Sequence, residues 1–314
     1  MNRGLIYFII SMAFIGISIV IGDGAMEKFP VWLFTFATLA VAVVLLVPLA
    51  SFYEKTKWFK LGKRNYYGIF MQSLLTCTLY TVFMMYGLTY ANAISVGIIT
   101  SITPAVVLVL AYFLLKERLN ARKLVAIGLA IIAVLIMNIA GVNPGGDSSF
   151  LGTVFMLLAV VSLSLFFIYA KKFAVELQPL TLAAGLCVMG LLMTLPMAIY
   201  EFAAFDMAVV TAGDWWVTFF YGLTGWALAY SFTFLGIPKI NASTAGMATA
   251  VIPIVATVVA VLFYGAPLRM VDMIALLLVI ASIFIAESQE REEVSLDLST
   301  VAASQIASDT VETK

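Results

Sequence analysis

The chain has 314 residues, of which 63% are apolar and 11% charged, and its formal net charge is zero. An ordinary soluble domain carries about 25% charged residues, and a mean hydropathy of +1.10 is more than one water-soluble core could hide, so most of this chain should be solvated by lipid. The zero net charge argues against a nucleic-acid partner, which needs a concentrated basic face. The absence of histidine removes the commonest metal ligand and the usual proton relay.

Ten segments are long and apolar enough to cross a bilayer, for which about 20 mostly apolar residues are needed. In chain order they cover residues 4–22, 31–50, 66–86, 93–115, 121–140, 151–170, 179–200, 215–236, 241–264 and 267–286. The sequence therefore predicts an all-α integral membrane protein with ten transmembrane helices. The first segment follows Arg3 like the apolar part of a signal peptide, but its length and the nine spans after it favour a membrane helix.

The distribution of lysine and arginine predicts the orientation, because cytoplasmic loops are enriched in these residues. If the N-terminus is cytoplasmic, all but Lys28 and Arg269 of the 17 lysines and arginines fall on the inner side. We therefore expect both termini in the cytoplasm (N-in, C-in). The expected location is a bacterial-type cytoplasmic (inner) membrane.

Composition divides the chain into four parts. Residues 141–150, "GVNPGGDSSF", form the stretch richest in Gly, Pro, Asn and Ser, which is typical of a linker. They separate a first five-helix unit, 1–140, from a second, 151–286. Residues 287–314 are acidic and poor in large apolar side chains, so we expect a disordered cytoplasmic tail.

The two units contain related sequences. "NAISVGIITSITPAVV" (92–107) aligns without a gap with "NASTAGMATAVIPIVA" (241–256) at an offset of 149 residues. The identical pairs include the following: Asn92 and Asn241, Gly97 and Gly246, Thr100 and Thr249, Pro104 and Pro253. Because each unit has an odd number of spans, the second copy enters the membrane from the opposite side. This predicts an inverted repeat, an architecture typical of secondary transporters.

The repeated segments combine packing and hinge residues. Gly97 and Gly246 belong to rows of small residues that let helix backbones approach closely. Pro104 and Pro253 each free a carbonyl one turn earlier and favour a kink, and we expect nearby hydroxyls, including Thr103 in the first copy and Thr249 in the second, to satisfy it. The alternative is that these helices only pack. Asn92 and Asn241 are interpreted as helix N-caps.

At this point the chain resembles ten-helix members of the EamA type within the drug/metabolite transporter (DMT) superfamily. The resemblance rests on "GLTYANAISVGIITSITPAVVLVLAYFLLKERLN" (87–120) and its second copy "GIPKINASTAGMATAVIPIVATVVAVLFYGAPL" (236–268), which departs where Ala266 replaces the counterpart of Glu117. It implies a pseudosymmetric bundle that moves small organic metabolites, often outward, with spans one, three, four, six, eight and nine around the cavity. Glu117 is expected to cap a helix and pair with neighbouring charges rather than couple transport.

No charged residue lies near the midpoint of any predicted span, where one would mark a functional site. Asp23, Glu201 and Asp272 lie at span ends, where we expect headgroups and water to reach them. A neutral or zwitterionic substrate with a sizeable apolar part is therefore expected. Cys77 and Cys187 lie inside apolar segments and are interpreted as small buried hydrophobes rather than a disulfide or a metal site.

Polar and aromatic side chains inside the spans are the candidates for the cavity wall, since small-molecule sites usually mix the two. Gln72, Thr76 and Tyr80 share one helix face, as do Trp226 and Tyr230. The complete set of candidates is Gln72, Thr76, Tyr80, Thr100, Ser162, Tyr169, Trp226, Tyr230 and Thr249. The alternative is that these groups bond between helices or anchor the interface.

These observations predict a secondary transporter of amino acids or similar amphiphiles that works by alternating access of the two repeats, and the resemblance implies export. The alternatives are a non-transporting membrane scaffold or receptor, and a carrier of drug-like or nucleotide-sugar-like substrates. An enzyme is not expected, nor a cofactor or metal. The expected partners are a small-molecule substrate and the lipid bilayer. Substrate identity, direction of transport, coupling ion and oligomeric state stay open.

Overall fold

The structure is a computed structural model that describes residues 2–26, 28–90, 96, 99–117, 120–139, 150–173, 177–265 and 270–285. Within these ranges the regular structure is helical, with no strand. The predicted all-α class is therefore confirmed. Residues 141–149 of the predicted linker 141–150, the tail from 287 onward, Asn92 and Gly97 lie outside the described residues.

The described ranges contain the following helical segments of eight residues or more, with adjoining α and π stretches joined and with the two parts of Ala242–Tyr264 joined across a two-residue turn. They are α1 Arg3–Met26, α2 Val31–Tyr53, α3 Lys63–Tyr90, α4 Thr103–Leu115, α5 Ala121–Ile139, α6 Phe150–Phe173, α7 Pro179–Ala204, α8 (Ala212–Tyr221, Gly222–Leu228 and Ala229–Gly236), α9 Ala242–Tyr264 and α10 Met270–Ile285. Six of them, α1, α2, α3, α6, α7 and α9, are long and apolar enough to cross a membrane.

Two π-helical stretches occupy matching positions in the repeats. One is Leu74–Leu79 within α3, and the other is Gly222–Leu228 within α8. The repeat offset of 149 carries the first onto the last six residues of the second. Short π segments inside helices are rare and are frequently found at functional sites. No residue pattern in the sequence predicted either of them.

Hydrogen bonds at one end of the bundle fix the relative direction of α1 and α6, which are counterparts in the repeat. The Asn2 side chain, just before α1, donates to the Lys239 carbonyl at 2.9 Å. The Lys171 ammonium, near the end of α6, donates to the carbonyls of Pro238 at 2.9 Å and Ile240 at 2.6 Å. The start of α1 and the end of α6 thus meet at one short loop, so these two helices run in opposite directions.

The first helix of each repeat packs against the third and fourth helices of the other repeat. α1 contacts α8 and α9, while α6 contacts α3 and α4. These contacts are close: a Cβ added at Gly236 would lie 2.6 Å from the Gly4 carbonyl oxygen, and one at Gly16 would lie 2.6 Å from that of Ile252. Two mixed groups result, α1–α8–α9 and α3–α4–α6. This packing favours them, rather than the two sequence halves, as the bodies that could move.

Helices α2 and α7 pack against each other along their lengths. The Glu54 carboxylate, after α2, accepts hydrogen bonds from the backbone N–H of Leu180 and Thr181 at 2.8 and 2.7 Å. At the opposite end, Glu201 of α7 accepts one from the Leu33 N–H of α2 at 2.9 Å. Each helix thus ends in a carboxylate that serves the first turn of the other, where N–H groups have no partner within the helix.

Candidate functional site

A direct polar contact joins α3 and α8 in the interior. The Thr76 hydroxyl and the Tyr230 hydroxyl are 3.0 Å apart, and the two residues are only 4% and 9% exposed. Thr76 lies within the first π stretch and Tyr230 follows the second by two residues. Both were predicted cavity residues, and this contact lies on the boundary between the two mixed helix groups.

Aromatic rings surround that contact. Tyr230 stacks on Trp226 with ring centroids 5.4 Å apart and planes 13° apart, and it meets Phe166 edge-on at 5.8 Å. The Trp226 ring N–H donates to the Thr38 hydroxyl at 3.1 Å. We call Thr38, Thr76, Phe166, Trp226 and Tyr230 the seam cluster. The cluster holds hydroxyls, one indole N–H and apolar rings but no charged group, which suits an uncharged or zwitterionic molecule.

Two members of the seam cluster, Thr38 and Phe166, were not predicted. Thr38 is fully buried on α2, and its hydroxyl also donates to the Phe34 carbonyl of its own helix at 2.9 Å. A lone threonine or phenylalanine in an apolar span is common, so the sequence offered no signal that these two face the seam.

Two further candidates lie on α3 and α6, next to the cluster. The Ser162 hydroxyl donates to the Leu75 carbonyl at 2.8 Å, so it links α6 to the π stretch of α3. Gln72 is 1% exposed, and its Nε2 donates to the Gly68 carbonyl at 3.0 Å. Its Oε1 is buried without a hydrogen-bond partner, which is unusual because native interiors satisfy nearly all such atoms.

The remaining candidates are not part of the cluster. Tyr80, directly after the first π stretch, is half-buried, and Tyr169 stacks on Phe173 at 6.0 Å. The Thr100 hydroxyl donates to the Val96 carbonyl at 2.9 Å, and that of Thr249 to the Gly246 carbonyl at 2.7 Å. These two hydrogen bonds stay within the helical segment of each threonine.

The proline segments are broken rather than only kinked. A turn at Ile102 precedes α4, and Thr249 and Ala250 form a turn within α9. The Thr103 hydroxyl donates to the Thr100 carbonyl at 2.6 Å, which is the carbonyl that Pro104 frees, as predicted. In the second copy the prediction was wrong.

There the carbonyl of Thr249, which Pro253 frees, accepts from the backbone N–H of Ile252 at 3.0 Å. The 3₁₀-like geometry of the turn brings that N–H within reach, so the Thr249 hydroxyl is not needed for this carbonyl. The predicted close packing at Gly246 is found: a Cβ there would lie 2.8 Å from the Cβ of Val107 on α4.

A carboxylate next to one mixed group also forms hydrogen bonds to the other mixed group. Glu117, just after α4, accepts hydrogen bonds from the backbone N–H of Ala242 at 2.6 Å and from the Ser243 hydroxyl at 2.7 Å, at the start of α9. The capping role predicted for Glu117 is confirmed. Asn241 occupies the N-cap position, but its side chain makes no capping bond, so Glu117 takes the role that the sequence assigned to Asn241.

One charged group at a span end, Asp272, differs from expectation. Asp272 was expected to be reached by water, but it is 5% exposed, and Lys123, its counterpart at the offset of 149, is 2% exposed. Each is the third residue of its helix, α10 and α5 respectively. Both side chains are covered by other parts of the fold, which the sequence of a single span cannot reveal. Cys77 and Cys187 are free and buried, as predicted.

Asp214, in the first turn of α8 and just before the predicted eighth span, forms a different ionic contact. Its carboxylate accepts a hydrogen bond from the Lys28 ammonium at 2.8 Å and from the Thr211 backbone N–H at 2.8 Å. These bonds, that from Lys28 foremost, lower the pKa of Asp214 to about 2. The contact fixes the α1–α2 loop to the start of α8.

Two cavities with almost wholly apolar walls lie elsewhere. One, of about 260 Å³, lies between α1, α9 and α10 and includes Ile9 and Val251 in its wall. The other, of about 380 Å³, lies between α2, α7 and the start of α8 and includes Phe36 and Trp215. None of the predicted cavity residues lines either of them. In the described ranges, no three His, Cys, Asp or Glu side chains are grouped so that they could hold a metal ion.

The apolar helices, repeated packing and uncharged polar seam define an integral membrane protein of the transporter type. The chain belongs to the EamA-like transporter family, whose pattern matches it twice, over residues 2–139 and 150–287. It is 29% identical over 284 residues to "Uncharacterized transporter YetK" of Bacillus subtilis, which covers 90% of this chain and 86% of that protein.

An "Uncharacterized transporter" of Archaeoglobus fulgidus is 25% identical over 251 residues, which make up 78% of this chain and 84% of that protein. A solved crystal structure superposes with a TM-score of 0.77 at 15% identity, covering 92% of this chain and 98% of that one. The likeness to that structure shows a shared fold. The two EamA matches establish that the chain is built from repeats of a transporter family.

Proposed function

We propose that this protein is a secondary transporter that moves small neutral or zwitterionic organic metabolites, such as amino acids or similar amphiphiles, out of the cell. The observation that carries the proposal is the buried Thr76–Tyr230 hydrogen bond, 3.0 Å long, on the boundary between the two mixed helix groups. Family membership supports transport as the activity. The export direction rests on the family resemblance.

The substrate class follows from the chemistry of the seam cluster. A phosphate-bearing substrate would need a fixed cation near it, because desolvating a doubly charged group without one is costly. The cluster offers hydroxyls, an indole N–H and stacked rings, with Trp226 and Tyr230 in parallel contact. A molecule with a compact polar head and an apolar part matches these groups.

The proposed topology has ten spans with both termini in the cytoplasm, built as an inverted repeat. The positive-inside rule supports it, and so does the opposite direction of α1 and α6 that follows from the bonds of Asn2 and Lys171 around the Lys239 loop. In this topology, the Glu117–Ser243 and Lys171–Ile240 bonds lie at the cytoplasmic end. They connect the two mixed groups there, so in the described conformation hydrogen bonds hold the cytoplasmic ends of these two groups together.

We propose alternating access in which α1–α8–α9 and α3–α4–α6 move against each other beside the α2–α7 pair. Opening inward would separate Glu117 from the start of α9 and Lys171 from the α8–α9 loop. These are hydrogen bonds to backbone and hydroxyl groups near the water interface, where water can replace the partners at modest cost. The seam cluster would then be reached from the inner side.

Reconstitution into liposomes tests the proposal directly. Purified protein in liposomes loaded with each unlabelled L-amino acid should accelerate counterflow of the same radiolabelled amino acid, compared with protein-free liposomes. A signal for a subset of apolar or aromatic amino acids is the expected result. No accelerated exchange across the amino acids and a wider metabolite panel would refute the proposed substrate class and favour a scaffold or receptor.

A further inference from the structure

Gln72 lies on α3 between two residues of that helix, Gly68 and Thr76, that contact other helices. One turn before it, a Cβ added at Gly68 would lie 2.6 Å from the Phe173 ring of α6. One turn after it, Thr76 contacts Tyr230 of α8. Since Gly68, Gln72 and Thr76 are four residues apart, they share one helix face. Gln72 therefore lies on the face of α3 that follows the seam between α6 and α8.

The orientation of the Gln72 amide is determined by its one hydrogen bond. The partner is the Gly68 carbonyl, which can only accept, so the amide nitrogen must be the atom 3.0 Å away from it. The amide oxygen is therefore the atom left without a donor, in a side chain that is 1% exposed. An unsatisfied buried acceptor destabilises the protein in which it occurs. A functional role is one explanation for such an atom in a native interior.

Using the proposed function and topology, we infer that Gln72 Oε1 is a substrate-binding acceptor, which takes a hydrogen bond from an N–H or O–H group of the substrate when the inner side is open. In that topology Gln72 lies one turn to the cytoplasmic side of the Thr76–Tyr230 bond. A molecule entering from the cytoplasm would meet Gln72 before it reaches that bond. The α-ammonium group of an amino acid is the donor that fits the proposed substrate class.

A neutral amide oxygen suits this role better than a carboxylate would. It accepts strongly from an ammonium group, because a hydrogen bond with one charged partner is stronger than a neutral one. It carries no net charge of its own, so it does not have to be neutralised while the site is closed and dry. Selectivity should then depend on the donor hydrogens of the substrate rather than on its charge alone.

The first experiment compares Gln72→Met with wild type. Met keeps the length of the side chain but removes the acceptor, so we expect a higher melting temperature without substrate and a KM about tenfold higher for transported amino acids. Wild type should prefer an amino acid to its N-trimethylated form, which keeps the positive charge but has no N–H donor, and Gln72→Met should lose that preference. The control is Thr194→Val on α7, whose hydroxyl is buried and already bonded to the Gly190 carbonyl at 2.9 Å.

The second experiment does not depend on knowing the substrate. Gln72→Cys should react with a membrane-impermeant methanethiosulfonate reagent added to the cytoplasmic face of inverted vesicles, while Thr194→Cys should not. Wild type reports the background from Cys77 and Cys187, which are buried.

Absence of labelling at Gln72→Cys would overturn the inference, whatever the transport assays show. Labelling together with an unchanged KM and an unchanged preference in Gln72→Met would also overturn it. If wild type exchanges none of the amino acids, the proposed substrate class fails instead, and the labelling result then decides the accessibility of Gln72.

Discussion

The Glu117 carboxylate accepts a hydrogen bond of 2.7 Å from the Ser243 hydroxyl, across 126 positions of sequence and between the two mixed helix groups. It also accepts from the backbone N–H of Ala242, so one side chain both caps α9 and holds the inner end of the seam. The other repeat has Ala266 at the matching position. The bonds of Glu117 to Ala242 and Ser243, which we call the Glu117 clasp, therefore have no carboxylate counterpart in the sequence of the other repeat.

Replacing Glu117 should weaken this clasp and shift the protein toward its inward-open form. We expect Glu117→Ala to lower stability by about 0.5–2 kcal/mol, the usual loss for a helix cap, and to increase labelling of Gln72→Cys from the cytoplasmic side. Glu117→Gln keeps one acceptor oxygen, so its stability and labelling rate should lie between those of wild type and Glu117→Ala. Thermal unfolding and labelling rates measure both effects, and unchanged values for Glu117→Ala would show that the clasp has no role.

Gly246 packs directly on Val107, so side chains at this position should block the approach of α9 and α4. Gly246→Leu is expected to insert into the membrane but to lose transport, because the added atoms overlap a neighbour that is itself fully buried. The matched control is Gly128→Leu in α5, since a Cβ there meets no atom within 4 Å. Counterflow assays and expression levels separate the outcomes. Normal flux in Gly246→Leu would contradict the proposed mechanism.

A double-mutant cycle can isolate the Thr76–Tyr230 bond. Thr76→Val and Tyr230→Phe each remove one hydroxyl, and the coupling between them should be about 0.6 kcal/mol, the average for hydrogen bonds between membrane helices. We expect a larger effect on transport than on stability, because both hydroxyls are proposed to face the substrate path. Strictly additive effects in both assays would mean that the two hydroxyls do not act together.

Lys116 and Gly265 end α4 and α9 at matching positions of the repeat, and both adopt the left-handed conformation, with φ of 56° and 66°. This conformation is energetically costly for residues other than glycine, because their Cβ atom crowds the backbone. Lys116→Gly should therefore stabilise the protein by up to about 1 kcal/mol, and Gly265→Ala should destabilise it by a similar amount. Melting temperatures of the two variants should move in opposite directions, and a shift in the same direction would refute this account.

The Lys28–Asp214 pair predicts a pH dependence of stability. Because the pKa of Asp214 is lowered to about 2 in the folded protein, its contribution is complete above about pH 4 and is lost as the pH falls toward 2. Asp214→Asn should lower the melting temperature at pH 7, and the difference from wild type should shrink over that acidic range. Between pH 5 and 8 the difference should stay constant, so a change there would point to another group.

How far the sequence could predict the site varies from residue to residue. Thr76, Trp226 and Tyr230 were found from helix spacing, because residues four apart share a face whatever the neighbours are. Thr100, Tyr169 and Thr249 have the same residue types in similar spans, but the hydrogen bonds and the ring contact described for them lie within their own segments. Thr38 and Phe166 join the cluster only because α2 and α6 approach α8. The spacing of residues along a helix shows which of them share a face, but it does not show which neighbouring helix that face contacts.

The sequence by itself determined the environment, the helical class and the repeated design, since hydropathy, lysine and arginine placement and the matched Asn, Gly, Thr and Pro residues are local properties. Only the tertiary structure decided that α1 and α6 each pack against helices of the other repeat, that Glu117 caps α9, and that Asp272 and Lys123 are buried. Those outcomes depend on which helices pack side by side. In lipid no hydrophobic force selects the partners, so close backbone approach and polar contacts do.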